Sequence, residues 1–519
     1  MSITFFSRWD KWLGICGLFG VLGILVYLYV PSLGSYPYRD WDESIYAQVA
    51  RESMTHPLAF TWLGYGVVGE SAHFWFEKPP LVIWLVQVSY SIFGVGEFSA
   101  RLVTFIFGLA TVVLAYVWAR HITKSVWAGL LASCSLLACF HFLLNIGISN
   151  LDIPVGFFMA LALYGYSRAV ENKEFWYLFW VSLALGTLTK SVVGLVPLGV
   201  VGVHQIFTGR GRTILNSFFP NSIHTSSSVI SDAILKPGSR LPDSEYEINS
   251  GRDDSMLYKG LWKDKSFRYG FGLFLVIVIP WHLVETIKFG SVFWQSYFGY
   301  HVLDRFIHPI ENNGNVWWYY FTIFKQVPFG LFAIAGLVFG LYKGLKKRAD
   351  YLLLCLSVIS IFVLFSVAQT KGSGYMVVVY PYLAVLGGCA IYEVVSKLKK
   401  RRLLYMVIAS CIGICVASGL AYNNYRIVKM RGQVYADIYT VGRWIQGKGW
   451  SGDIYYVSLK AKEGIISASP LLVYTAQSHV SEVSSCACEV LESPIFRTPT
   501  HFVYVRGKIL YVEAVRFIP

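Results

Sequence analysis

One feature constrains this chain more than any other: it repeats apolar runs near twenty residues long, joined by short polar links. A helix rises about 1.5 Å per residue, so about twenty apolar residues cross the roughly 30 Å hydrocarbon layer of a bilayer. Inside lipid the backbone must satisfy its own hydrogen bonds, which leaves helices or closed barrels. Barrel strands alternate apolar and polar residues, and these runs do not alternate. Composition agrees. Of 519 residues, 55% are hydrophobic and only 14% charged, where a soluble domain carries about 25% charged. The fold class expected is therefore a polytopic α-helical membrane protein.

Eleven spans are expected, at about 12–30, 98–119, 126–145, 153–169, 175–189, 191–207, 269–287, 317–342, 350–368, 375–393 and 403–421. The first lacks a small-residue cleavage site and reads as a retained span. The run 79–94 opens on two prolines and ends at Gly94; it is expected to lie in the interface or half-inserted. Charge tests this choice. With the N-terminus inside, the inner links hold 24 Lys and Arg and the outer segments 7. That is the positive-inside pattern, and counting 79–94 as a span would invert it. The formal charge of +14 thus belongs to membrane orientation. No nucleic-acid-binding element accompanies it.

The expected organisation is a transmembrane domain over 1–421, with a first external loop at 31–97 and a cytoplasmic insert at 211–267. The insert is rich in Ser, Asp and Pro without apolar periodicity and reads as disordered. Residues 422–519 hold short β-prone runs ("DIYYVSL", "LLVYTA", "FVYVRG", "ILYVEAV") and a helical stretch. They are expected to form a small external α/β domain. Most of the nine cysteines lie in apolar runs and act as small hydrophobes. Cys486 and Cys488 sit in a polar segment, too close together to bridge readily.

With this topology the unusual polar groups near spans share the outer face. They are "DWDESIYAQVARE" (40–52), "WFEKPP" (75–80), Asp152 in "NLDIP", Lys190, His282, "YHVLDRFIHP" (300–309) and "QTKGSGY" (369–375). Ionisable groups at membrane depth are costly and usually line a cavity. Each also has a bland reading. Asp42 and Glu43 stand before a helix whose Ile45, Tyr46, Val49 and Ala50 form an apolar face, and either acid could cap it. Asp152 could cap the span that follows, with Pro154 in its first turn. Lys78 could snorkel. Together, Lys78, Lys190, Arg305 and Lys371 could hold a phosphate, and a carboxylate could accept a proton in group transfer. His282 with Glu77 could bind a divalent metal such as zinc, magnesium or manganese, although a belt histidine beside Trp281 explains it too. His301, Asp304, Arg305 and His308 share an α-helical face at i, i+3, i+4 and i+7.

Seven stretches in order carry a resemblance: "DESIYAQVARESM", "FWFEKPPLVIWLVQVSYSIFGVGEFSARL", "NLDIPVGFFMALALYGY", "LGTLTKSVVGLVP", "PWH", "WWYY" and "QTKGSGYMVVVYPYLA". Over about residues 35–395 the chain resembles the GT-C membrane glycosyltransferases, in the branch of lipid A aminoarabinose transferases and protein O-mannosyltransferases. The resemblance implies a polyprenyl-phosphate-linked sugar as donor and a lipid, glycan or protein acceptor, with inversion at the anomeric carbon. It implies Asp42 as catalytic acid of the first external loop, Asp152 as acid of the second, and Glu43 as a substrate contact. Lys190, Arg305 and Tyr375 fall where the lipid phosphate is held, beside Lys78 and Lys371. Glu77 and His282 match positions that bind zinc in some members. The setting implied is the bacterial inner (plasma) membrane with the site on the non-cytoplasmic side. The family's "TKGP" stands here as "TKSV", which predicts a phosphate turn of different shape. Ile45 stands where an arginine is common. The rival classes are a transporter or flippase of lipid-linked sugars, and a receptor built on the C-terminal segment. A transporter is expected to show internal repeats and polar sites near the midplane; neither is visible in the sequence.

Overall fold

The computed structural model describes residues 3–39, 42–54, 75–208, 263–309, 315–397, 409–422, 440–445, 447–448, 454–457, 480–483, 496–497, 501–506 and 509–514. Most of the insert at 211–267, Cys486 and Cys488, and the run "LLVYTA" lie outside them. Among the described residues, six helices are long and apolar enough to cross a membrane, or up to eight if each of two bent pairs is one span. The protein is an integral membrane protein.

The helices are α1 (Ile3–Tyr29), α2 (Asp42–Ser53), α3 (Leu81–Phe93), α4 (Glu97–Thr123), α5 (Val126–Leu137), α6 (Phe140–Ile146), α7 (Asp152–Ala169), α8 (Phe175–Lys190), α9 (Val196–Phe207), α10 (Lys265–Phe289), α11 (Phe329–Leu345), α12 (Ala349–Val367) and α13 (Tyr380–Ser396); α14 is Ala409–Tyr422. The count differs from eleven in three places. Helix α7 has 18 residues with Asp152 and Arg168 near its two ends, which lowers its apolar average. Residues 175–207 form one apolar run. Only part of the last expected span is described.

The run 175–207 nevertheless doubles back. The Tyr166 hydroxyl near the end of α7 is 3.0 Å from His204 Nδ1 near the end of α9, and its ring lies 6.0 Å from Trp176 at the start of α8. The last turn of α9 therefore sits at the level of the first turn of α8. The reversal falls at Ser191–Leu195, a 3-10 turn. Gly194 packs on the Gly186 carbonyl, where a Cβ would overlap it. Close backbone approach through small residues is the usual means of packing helices in lipid. Lys190 is thus at the tip of a hairpin.

Helix α3 is 13 residues long, about 20 Å, too short to span. It buries Val82, Ile83, Val86 and Tyr90 and exposes Val88, Ile92 and Phe93, as an interfacial helix does. A large core joins α1, α4, α5, α7, α8, α11, α12 and α13. A second core packs α2 and α3 on the start of α4, with Tyr38, Trp75 and Leu151. A third holds Phe76, Leu188, Trp281, Phe293 and Tyr297. Helix α10 is peripheral: of its residues only Phe267, Gly270, Trp281 and Glu285 are buried. Asp264 caps it, accepting from the Ser266 and Phe267 amides at 2.9 and 3.3 Å.

Further along, five strands form one sheet, β1 (Ile454–Val457), β2 (Val480–Val483), β3 (Phe496–Arg497), β4 (His501–Arg506) and β5 (Ile509–Ala514), in the order β2-β1-β5-β4-β3. β1 runs parallel to β2 and β5, and β4 antiparallel to β3 and β5.

Candidate active site

Helix α2 opens on two adjacent acids with different fates. Glu43 is 2% exposed, and its partner Arg101 on α4 is wholly buried. Arg101 Nε donates to Glu43 Oε1 at 2.7 Å and Nη2 to Oε2 at 3.1 Å. Its other hydrogens reach the carbonyls of Leu33, Tyr36 and Pro37 at 2.7–2.8 Å, and the guanidinium lies over the Tyr36 ring at 4.0 Å. Glu43 also accepts from the backbone amides of Arg39 (2.7 Å) and Ser149 (2.9 Å). A buried ion pair is tolerated when its remaining hydrogen bonds are met, and here they are. Glu43 is therefore a structural clamp rather than the substrate contact expected. Asp42, one residue earlier, is exposed and lines a cavity.

The turn before α7 settles how Asp152 is used. Asn150 Oδ1 accepts from the amides of Asp152 and Ile153 at 3.0 and 3.1 Å, so Asn150 caps the helix. The Asp152 carboxylate is thereby left for another partner, and it pairs with the Lys190 ammonium. Lys190 Nζ lies 4.8 Å over the Tyr375 ring. A Cβ on Gly374 would come within 2.8 Å of Asp152 Oδ2, so the glycine lets the 372–375 segment approach the acid. Ser191 holds φ 52°, in the left-handed region that favours glycine. The departure "TKSV" therefore keeps a glycine-like turn at the cost of local strain.

The cavity encloses about 180 Å³. Asp42, Glu77, Lys78, Lys190, Arg305, His301, Tyr46, Tyr297, Tyr375, Ser191 and Thr370 supply its polar groups; Val192, Val193, Val196, Val302, Phe306, Leu364, Phe365 and Ala368 form an apolar wall. Lys78 Nζ is 3.8 Å from Glu77 Oε2. Burial pulls the Lys78 ammonium below the ordinary lysine range; Glu77 opposes this and Arg305 adds to it. Burial, then Lys78 and Arg305, pull the His301 imidazole down to about 2, so it is neutral at physiological pH. Burial, then the charges of Asp42 and Glu77, raise the Tyr46 phenol well above its usual range. The result is a pocket with three cations, two carboxylates and a hydrocarbon flank.

His301 and Arg305, four residues apart at the end of the π-helix Gln295–Asp304, both line the cavity. The α-helical face expected for 301–308 is not formed, and Asp304 and His308 are exposed. The segment is held by Gln369 and Thr370, whose amides donate to the carbonyls of Phe306 and Arg305 at 3.0 and 3.1 Å.

Two further expected residues lie elsewhere. Lys371 is 3% exposed and donates to its own segment at Ala368 O, 2.6 Å away; it does not line the cavity. His282 points both ring nitrogens at protein atoms, Nδ1 2.9 Å from Val278 O and Nε2 3.2 Å from the Tyr297 hydroxyl. It stands behind Tyr297, while Glu77 faces the cavity. Among the described residues no three His, Cys, Asp or Glu side chains gather to hold a metal, and protein-bound zinc takes three or four protein ligands. Residues not assigned a role from the sequence include Arg101, Asn150, Tyr46 and Tyr297. Arg101 had a signal, an arginine inside an apolar span.

Residues 77–230 match a family model described as dolichyl-phosphate-mannose-protein mannosyltransferase. An uncharacterised protein of Aquifex aeolicus is 35% identical over 186 residues, 35% of this chain and 36% of its own length. The undecaprenyl phosphate-alpha-4-amino-4-deoxy-L-arabinose arabinosyl transferase 1 of Pseudomonas fluorescens is 23% identical over 406 residues, 76% of this chain and 62% of that protein. The matches thus span between about a third and three fifths of these relatives' length. In fold, the chain is similar to ArnT from Cupriavidus metallidurans bound to undecaprenyl phosphate, with TM-score 0.64, 17% identity, and 90% of this chain and 86% of that one covered. It is also similar to the oligosaccharyltransferase AglB from Archaeoglobus fulgidus in complex with an inhibitory peptide and a dolichol-phosphate, with TM-score 0.54, 14% identity, and 91% and 65% covered.

Proposed function

We propose that this chain is a member of the GT-C membrane glycosyltransferases and transfers a sugar from a polyprenyl-phosphate donor to a lipid, glycan or protein acceptor. One observation carries the reading: Asp42 lines the same cavity as Lys78, Lys190 and Arg305, and that cavity has an apolar wall. A polyprenyl-phosphate sugar needs all three parts.

In this reading Lys78, Lys190 and Arg305 hold the phosphate, and the prenyl chain follows the apolar wall toward lipid. The acceptor oxygen or nitrogen attacks the anomeric carbon. The bond from that carbon to the phosphate oxygen breaks, and its electron pair leaves on the phosphate. Asp42 takes the acceptor's proton. The cations stabilise the charge that gathers on the leaving group, and such stabilisation is often the largest single contribution. Attack from the side opposite the phosphate gives inversion. Asp152 orients Lys190 and does not itself take the proton. No step needs a metal, and activity is expected to survive chelation by EDTA; loss restored by added zinc would return Glu77 to a ligand role.

The charge asymmetry of the links supports a cavity on the non-cytoplasmic side, and the bacterial relatives support the inner membrane as the setting. The same asymmetry supports eleven spans and residues 1–421 as the transmembrane domain with its cytoplasmic insert at 211–267; it supports 422–519 as external, where the described five-stranded sheet supports an α/β domain. A flippase is less well served, because the polar groups gather at one end of the bundle. The test is mass spectrometry of lipids and glycoproteins from cells lacking this chain. Loss of one sugar from a defined molecule, with accumulation of its polyprenyl-phosphate donor, supports transfer. An unchanged set of glycans, with donor building up on the cytoplasmic side, would favour transport.

A further inference from the structure

We propose that Arg101 is a positioning residue for the transfer, acting through Glu43 to set the catalytic carboxylate against the phosphate cations. The inference rests on the transferase reading above.

Asp42 lies in the first turn of α2, and a proton acceptor must be placed to within a fraction of an ångström of its target. Its neighbour Glu43 is anchored from three sides: by Arg101 on α4, by the Arg39 amide before α2, and by the Ser149 amide before α7. The last tie reaches the phosphate side. Ser149 leads to Asn150, whose amide and carbonyl both meet Thr104 Oγ1 on α4 at 3.2 Å. Asn150 caps α7 at Asp152, and Asp152 holds Lys190. Arg101 and Thr104 are three apart on one face of α4, so one helix face holds the acid's segment and the cation's segment in register. Arg101 further fixes the approach to α2 through the carbonyls of Leu33, Tyr36 and Pro37. Neither Arg101 nor Glu43 lines the cavity, so their effect on transfer passes through Asp42 and Lys190.

The test uses the full chain purified in detergent and mixed with membranes of cells that lack it, which supply donor and acceptor. Transfer rate is measured beside the affinity for undecaprenyl phosphate. For Arg101→Met the expected result is a rate about 100-fold lower, the scale of a 1 Å misplacement, with affinity changed less than about threefold. Arg101→Lys keeps a charged bond to Glu43 and is expected to recover about tenfold of that loss. Thr104→Val cuts the other tie without stranding a buried charge, so it keeps the test open should Arg101→Met fail to fold; it is expected to lower the rate about tenfold, with affinity changed less than about threefold because the Asp152–Lys190 pair itself is kept. If rate and affinity fall together in step with the folded fraction, or if neither moves in Arg101→Met and Thr104→Val, the inference is overturned. If the wild-type chain transfers nothing, the transferase reading fails first, and the inference with it.

Discussion

Adjacent acids can do opposite work, and Asp42 and Glu43 show what separates them. Glu43 is spent on Arg101 and two backbone amides, whereas Asp42 faces a cavity with three cations. Replacing Asp42 by Asn keeps shape and removes the proton acceptor. It is expected to lower transfer by about 100-fold to 10,000-fold while undecaprenyl phosphate still binds; equal loss of both would take Asp42 out of the chemistry. Glu43→Gln should lower thermal stability as well as the transfer rate, since it weakens a buried pair whose loss costs about 3–5 kcal/mol and loosens the anchor beside Asp42. Ser191 offers a separate test of the turn. Ser191→Val places a β-branched residue at φ 52° and is expected to cost about 1–3 kcal/mol; Ser191→Gly should cost none of it. Calorimetry in detergent distinguishes the two. At this scale Asp42, Lys78, Lys190 and Arg305 were legible in the sequence, because charged groups beside apolar runs have few structural uses. Asp152 was half legible: its place was visible, but Asn150 two residues earlier decides that it does not cap. Lys371 was misleading, because a lysine can meet its own backbone and leave no mark of this in sequence.

At the level of elements, the site depends on two interruptions of regular helix. The α8–α9 reversal puts Lys190 at a hairpin tip, and the segment from the π-helix 295–304 into Arg305 presents His301 and Arg305 to one cavity. The reversal at Lys190 and the pairing of His301 with Arg305 were readable from the spacing; the π form was not, since hydrophobic spacing reports the average pitch and not a local change in it. Lys190→Ala is expected to weaken undecaprenyl phosphate binding about tenfold or more, the scale of one charge-assisted contact. Asp152→Asn should move it the same way by freeing the ammonium from its partner. Unchanged affinity in Lys190→Ala would remove it from the phosphate site. His301 gives a pH test. Its imidazole, ordinarily near 6.5, is pulled down to about 2. Between these values the unfolded chain binds a proton that the folded chain does not, so stability falls as pH drops below about 6.5 and is unaffected above it. Thermal midpoints at pH 5 and pH 8 should therefore lie closer together in His301→Gln than in the wild type. An equal spread would show that His301 is not held neutral.

For the whole molecule, apolar length and charge were enough to read a polytopic helical protein and to keep α3 out of the span count. They also divided 175–207 at Lys190, beside the Ser191–Leu195 turn where the chain reverses. Orientation is testable at this scale. A single cysteine placed in the link 346–348, in a chain without its own cysteines, should react with a membrane-impermeant reagent only after the cells are opened; reaction in intact cells would invert the topology. The central claim is that this cavity carries out sugar transfer with Asp42 as the proton acceptor. The measurement that tests it most directly is mass spectrometry of lipids and glycoproteins from cells lacking the chain, complemented with either the wild type or Asp42→Asn at equal membrane levels. The account predicts that the wild type restores the missing sugar and clears the accumulated polyprenyl-phosphate donor, while Asp42→Asn does neither. Full restoration by Asp42→Asn would contradict it.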